Sequence, residues 1–226
     1  MDTNDLVRVV TEAVVKGLEE RKITAPVSPL QTQGSKEELI PLGISNRHVH
    51  LAKADLFKLF GEGTELTKFK DLSQPGQFAC SERLTLVGPK GVLENVRILG
   101  PLRSRTQIEL SVSDCIKLGI NAPVRDSGDL KGSAGLTLVG PKGALTLAEG
   151  AIIAARHIHM HSHDARRFAV KDGDRVNVKV SGARGLIFNK VLVRVSDHYQ
   201  LEMHIDFDEA NAARVGGRDL AEIVKL

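Results

Sequence analysis

Aromatic residues are scarce. The chain of 226 residues has no Trp, one Tyr and seven Phe. That removes the base-stacking platforms of single-strand nucleic-acid binders. It leaves Val, Ile, Leu and Ala to fill the core, as in small β-barrels. A formal charge of +3 is too weak to argue for nucleic acid. Only two cysteines are present, Cys80 and Cys115. They make no disulfide scaffold and suit a reducing compartment. No run approaches about 18 uninterrupted apolar residues, which excludes a transmembrane helix. No basic n-region precedes an apolar h-region, so secretion is not expected. Still, 42% of the residues are hydrophobic, enough for one large core or two small ones.

Histidine is what stands out. There are eight, and six lie in two short clusters. Before them, residues 4–20 place Leu6, Val7, Val10, Ala13, Val14 and Leu18 on one helical face. Pro26 and Pro29 then break any continuation. This predicts a short amphipathic helix on a linker. Its apolar stripe must be buried on the chain's own domain, in a dimer, or against a partner. Asp2, Asp5, Glu12, Glu19 and Glu20 make it too acidic for a mitochondrial presequence.

Two internal repeats set the expected architecture. LTLVGPKGVL from Leu84 returns as LTLVGPKGAL from Leu136, each reading as strand, turn and strand. RHVHL from Arg47 returns as RHIHM from Arg156. Both copies follow an apolar run and lead into a short helical segment. The expected fold is mainly β with short helices: two related small β-barrels from an internal duplication, plus the N-terminal amphipathic helix. The GPKG repeat reads as fold rather than function. No GxGxxG, P-loop or GxSxG element is present.

On a strand, residues i and i+2 project to one face. His48 and His50 therefore point together, as do His157 and His159, and such imidazole pairs suit a divalent transition metal. Three protein ligands with an open position make a catalytic zinc site, so each pair needs a third. His204, alternating off an apolar strand, is the best candidate for one metal, with Glu202 as its rival. Glu109 can complete the other, unless it merely pairs with Arg105 or Arg103. His161 and His163 fall at a helix start and turn away, and His198 reads as a surface residue. An open zinc polarises a carbonyl, activates water or holds a soft thiolate. The HxHxDH pattern of dinuclear hydrolases meets His161 where Asp is needed, and the Glu of the cupin pattern is missing. A TIM-barrel amidohydrolase needs about 250 residues. Cys115 reads as core, and Cys80 is a weak candidate nucleophile. Arg103, near Glu109, offers a guanidinium fork for phosphate or carboxylate. Lys70 and Arg97 offer further charge for a larger phosphorylated ligand.

Taken together, NRHVHL, the LTLVGPKG repeat, GPLRSRTQIELS and AARHIHMH resemble the PduL-type phosphotransacylases (phosphate propanoyltransferases) over roughly residues 37–224. The resemblance implies a zinc-dependent transfer of an acyl group between coenzyme A and phosphate on two β-barrel domains. The first would span 47–155, and the second 36–46 with 156–226. His48, His50 and Glu109 would hold one of two zinc ions, and His157, His159 and His204 the other. Arg103 would bind the attacking phosphate. Ser45, Lys70, Arg97 and Asn211 are candidate coenzyme A contacts across the domain junction. Residues 1–35 resemble the helix and linker that address such enzymes to the lumen of a bacterial microcompartment. Shell or lumen proteins and a homo-oligomer are the expected partners; nucleic acid and membrane are not. The competing expectations are a dinuclear zinc hydrolase of thioesterase type, and a metal-storing barrel protein without turnover.

Overall fold

A computed structural model describes residue 5, residues 38–217 and residues 219–224. Apart from Asp5, the helix expected over 4–20 lies outside the described residues. The chain runs through β1 (Leu39–Ser45), β2 (His48–His50), α1 (Lys53–Phe60), β3 (Lys68–Asp71), β4 (Phe78–Val87) and β5 (Val92–Gly100). It continues as β6 (Gln107–Glu109), α2 (Val112–Leu118), β7 (Val124–Arg125), β8 (Ala134–Val139) and β9 (Ala144–Ala154). The last part holds β10 (His157–Met160), α3 (Ser162–Arg167), β11 (Arg175–Val180), β12 (Leu186–Val195), β13 (Glu202–Asp206), α4 (Phe207–Ala213) and β14 (Leu220–Val224). The mainly β expectation with short helices holds.

The strands close into two six-membered circuits. One runs β2-β5-β4-β8-β9-β6 and returns to β2, with β3 added beside β4 and β7 beside β9. The other runs β10-β12-β11-β14-β1-β13 and returns to β10. In both, the HxH strand is parallel to one neighbour (β5 or β12) and antiparallel to the other (β6 or β13). The strand beyond β6 or β13 is again parallel (β9 or β1), and the remaining three pairings are antiparallel. β1 thus belongs to the second circuit although it precedes the whole of the first.

Each circuit encloses an aliphatic core. Val49, Leu86, Ile98, Ile108 and Leu138 are buried in the first, and Ile158, Val178, Val191, Val193 and Met203 in the second. Phe188 is the sole Phe, Tyr or Trp among the buried hydrophobic core residues described. Burying each large aliphatic side chain contributes about 1.5–3 kcal/mol. β-Branched residues fit pleated strands, so closed barrels absorb this composition well.

The strands β6 and β13 each run straight into a helix through a capping box. Ser111 and Asp114 exchange hydrogen bonds at the start of α2, as do Asp206 and Glu209 at the start of α4. The two GPKG turns have parallel roles at helix ends. Lys90 N–H donates to Leu118 O at the end of α2, and Lys142 N–H donates to Leu59 O near the end of α1, each at 3.0 Å. Gly88 and Gly140 permit that approach: a Cβ would stand 2.3 Å from Leu118 O and 2.4 Å from Leu59 O. The repeated turn therefore satisfies carbonyls that a helix C-terminus leaves unpaired.

Candidate metal centre and active site

Register brings the polar residues together. In the antiparallel β2–β6 pair His48 lies opposite Glu109, and in β10–β13 His157 lies opposite His204. The i+2 rule adds His50 and His159. Potential ligand atoms of His48, His50 and Glu109 lie within 4.8 Å of one another, and so do those of His157, His159 and His204. Arg47 and Arg156, which precede the two HxH pairs, anchor the strand starts. Arg47 meets Asp114 at 2.8 Å and Arg156 meets Glu209 at 2.6 Å, the capping acids of α2 and α4.

Backbone carbonyls fix the imidazole tautomers. His48 Nδ1 faces Asn46 O and His157 Nδ1 faces Ala155 O, each at 2.8 Å, while His50 Nδ1 faces Leu99 O at 3.2 Å. A proton on Nδ1 leaves a lone pair on Nε2. In the first group that lone pair of His48 faces Glu109 Oε2 at 3.4 Å. In the second, His157 Nε2 faces His159 Nε2 at 3.0 Å, and His159 Nδ1 is buried without a hydrogen-bond partner. Converging acceptors and an orphaned ring nitrogen are the electrostatics of a cation site. Nitrogen donors with one carboxylate fit zinc and its borderline-soft neighbours.

Charge states agree with this. Burial pushes His50 down to about 3, helped by His48 and Arg103. It pushes His157 down to about 4, with Arg194 adding to the effect, and His159 to about 2. These imidazoles are neutral near pH 7, as ligation requires. Burial also works to lower His48, but Glu109 outweighs it and the net shift is upward. Burial works to raise Glu109, but His48 overcomes it and holds the carboxyl below its ordinary range.

Both groups line one cavity of about 770 Å³ between the circuits. Arg103 enters it, donating to His50 Nε2 at 2.8 Å and to Ser127 Oγ at 3.0 Å. Ser127 in turn donates to Glu109 Oε1 at 3.2 Å and accepts from Gln107 Nε2 at 2.8 Å. Arg194 adds a further guanidinium to the wall and meets Asp126 at 3.5 Å. The loop between β3 and β4 crosses the junction: Gln74, almost fully buried, exchanges hydrogen bonds with the backbone of Gln200 at 2.9 and 3.3 Å.

The other residues singled out in the sequence divide. Ser45 and Arg97 line the cavity, and the Arg97 guanidinium stacks 4.9 Å from the Phe69 ring. Lys70 and Asn211 are exposed and not among the lining residues. Arg105 pairs with Glu149 at 2.5 Å rather than with Glu109. His161 caps α3, and His163 and His198 are exposed. Cys80 is buried, and its thiol is pushed up to about 11 by burial; Cys115 is buried and raised as well. Neither is a ready thiolate. The sequence did not single out Arg194, Gln107, Ser127 or the cavity-lining Tyr199, whose ring meets that of His159 at 4.4 Å. Arg194 had left one signal, a lone charge at an alternating position within VLVRV.

The family model of phosphate propanoyltransferases matches residues 41–216. The chain belongs to this family. A phosphate propanoyltransferase of Thermotoga maritima is 56% identical over 192 residues, covering 84% of this chain and 91% of the relative. One of Clostridioides difficile is 48% identical over 88% of this chain and 95% of its own. One of Lachnoclostridium phytofermentans is 49% identical over 95% and 96%. The matched span contains both three-residue groups and Arg103, so family membership and the cavity refer to the same residues. The chain is thus an acyltransferase. Among the described residues no helix is long and apolar enough to cross a membrane.

Proposed function

We propose that this chain interconverts propanoyl-CoA plus phosphate and propanoyl phosphate plus coenzyme A by direct attack of phosphate on the thioester. The observation that carries the reading is Arg103: its guanidinium enters the cavity that both His-rich groups line, and it bonds to a residue of one of them. A hydrolase has no need of such a fork, whereas phosphate matches it.

His48, His50 and Glu109 would hold one zinc, and His157, His159 and His204 a second. Bound zinc supplies Lewis-acid stabilisation of the carbonyl oxygen and a soft partner for the departing thiolate. The remaining steps belong to the chain's own residues. Arg103 now donates to His50 Nε2; once that nitrogen ligates, the N–H is free for a phosphate oxygen. Ser127 holds the other arm of the same guanidinium and fixes its plane. Arg194 adds positive charge for the dianion. A phosphate oxygen then forms the bond to the carbonyl carbon as the carbon–sulfur bond breaks. With both thiols buried and protonated, no covalent acyl-enzyme is needed. Ser45 and Arg97, which line the cavity, support a coenzyme A path along this wall. Lys70 and Asn211 would be reached only by its outer parts.

The shared strand order and pairing sense of the two circuits support an internal duplication, with domains over 47–155 and over 36–46 plus 156–226. The amphipathic stripe of residues 4–20 supports an address for a microcompartment lumen and contact with shell or lumen proteins. Val112 and Ile116, exposed one turn apart on α2, support a homo-oligomer. Deleting residues 1–35 should leave turnover intact and abolish co-sedimentation with shells.

The central test follows free thiol release from propanoyl-CoA with and without phosphate. Release that needs phosphate supports transfer. Equal release without phosphate would instead make the chain a thioesterase.

A further inference from the structure

Residue 107 lies two positions before Glu109 on β6, and residue 202 lies two before His204 on β13. By the strand alternation each shares a face with its neighbour, and each bonds to it. Gln107 Nε2 donates to Glu109 Oε1 at 2.5 Å. His204 Nε2 donates to Glu202 Oε2 at 2.6 Å. The chemistry is inverted between the circuits. Where the third ligand is a carboxylate, its neighbour is an amide donor. Where it is an imidazole, its neighbour is a carboxylate acceptor.

Glu202 is itself held in place. Ser73, from the loop that crosses the junction, donates to the same Oε2. Gly43, the register partner of His204 on β1, leaves room for both side chains. A Cβ there would stand 2.7 Å from Glu202 Cδ and 2.9 Å from His204 Cδ2. His48, His50 and His157 fix their Nδ1 on backbone carbonyls and offer Nε2. His204 gives its Nε2–H to Glu202, which leaves the lone pair on Nδ1.

We propose that Glu202 is a positioning residue that holds His204 with Nδ1 toward the metal, and that Gln107 does the same for Glu109. The inference rests on the zinc reading above. A carboxylate behind a ligating imidazole orients the ring and raises its basicity. It also balances the two groups. The first has one carboxylate among its ligands. The second has three neutral imidazoles and carries its carboxylate one bond further out.

The experiment titrates the chelator-stripped full chain with zinc against a chromophoric chelator. The wild type should take up two ions. Glu202→Gln should weaken one of them by about 10–100-fold, leave the other unchanged, and keep the metal-free melting temperature. Glu202→Asp should recover part of the loss. If Glu202→Gln fails to fold, Ser73→Ala serves in its place, loosening the same carboxylate with a smaller loss. In the zinc-loaded wild type, nitrogen NMR should find His204 protonated at Nε2 and ligating through Nδ1. Ligation through Nε2, or zinc affinities within twofold of wild type in Glu202→Gln, overturns the proposal. A wild type that binds no zinc overturns this proposal and the zinc reading together. Two tight ions in both proteins overturn this proposal alone.

Discussion

The two circuits have the same strand order and the same pairing senses, yet their polar centres differ at one of three positions. The first has a carboxylate at 109, the second an imidazole at 204. Charge follows from that difference. In the first group Glu109 draws His48 toward the protonated form, with Nε2 and Oε2 standing 3.4 Å apart. In the second no carboxylate belongs to the three, and burial leaves His157 and His159 neutral far below their ordinary range. Equal scaffolds therefore hold centres of unequal charge. Were each group to hold zinc as proposed, the centre without an anionic ligand would be the better Lewis acid, which favours the second group for the thioester and the first, beside Arg103, for phosphate.

The strongest way to break the comparison is to remove one imidazole from each side. His157→Ala and His48→Ala should each lose one zinc by elemental analysis. Each should also lower turnover by at least about 10³-fold, because Lewis-acid stabilisation is worth several kcal/mol. A variant that loses its zinc and keeps its rate would show that its centre is structural. Next in size are the cores. Ile158→Ala should cost about 2–5 kcal/mol in denaturant unfolding, and its loss should appear in the second circuit by hydrogen exchange before the first. Arg103→Ala should raise the KM for phosphate by about 10–100-fold and leave that for propanoyl-CoA nearly unchanged, as expected for charged hydrogen bonds of about 1.5–3 kcal/mol.

Acidity offers a gentler separation. His157 and His159 have folded pKa values below the ordinary 6.5, so protons favour the unfolded chain. Their contribution to metal-free stability is present above about 6.5 and is lost as pH falls toward about 4. In the first group His50 follows the same direction, and His48 alone behaves oppositely. His48 is raised, so its contribution is fully present below 6.5 and is lost as pH rises through its folded value. Thermal midpoints of the metal-free protein should fall between pH 6.5 and 4, and fall less in a His157→Gln variant. An unchanged slope in that variant would refute the assignment. The smallest effect is at the caps: Ser111→Ala and Asp206→Ala should each cost about 1 kcal/mol, read as small shifts in midpoint.

The repeats made much of this legible. The i, i+2 spacing is enough to place two imidazoles on one face, because that follows from the pleat alone. Aromatic scarcity and alternating Val, Ile and Leu pointed to small β structures, and the motif combination pointed to the family. Long-range pairing was not legible. Nothing local in LIPLGIS says that β1 pairs with β13 and β14 rather than with β2. The same holds for Arg194: only the β10 register sets it beside His159. Lys70 and Asn211, suggested by charge and sequence proximity, stand exposed outside the cavity lining. The GPKG turn was read as fold, and its packing against helix ends gives that reading a physical basis.

The placement of β1 has a consequence for how the chain is made. Synthesis begins the second circuit, interrupts it for the whole of the first, and finishes it only at β14. While the ribosome is still translating the last third, the first circuit already has all its strands. β1 meanwhile has an unpaired edge, and its partners do not yet exist. Long-range pairings of this kind close late. The first circuit should thus serve as a finished platform on which the second assembles, and the cavity lined by both three-residue groups comes into being only with the final strands.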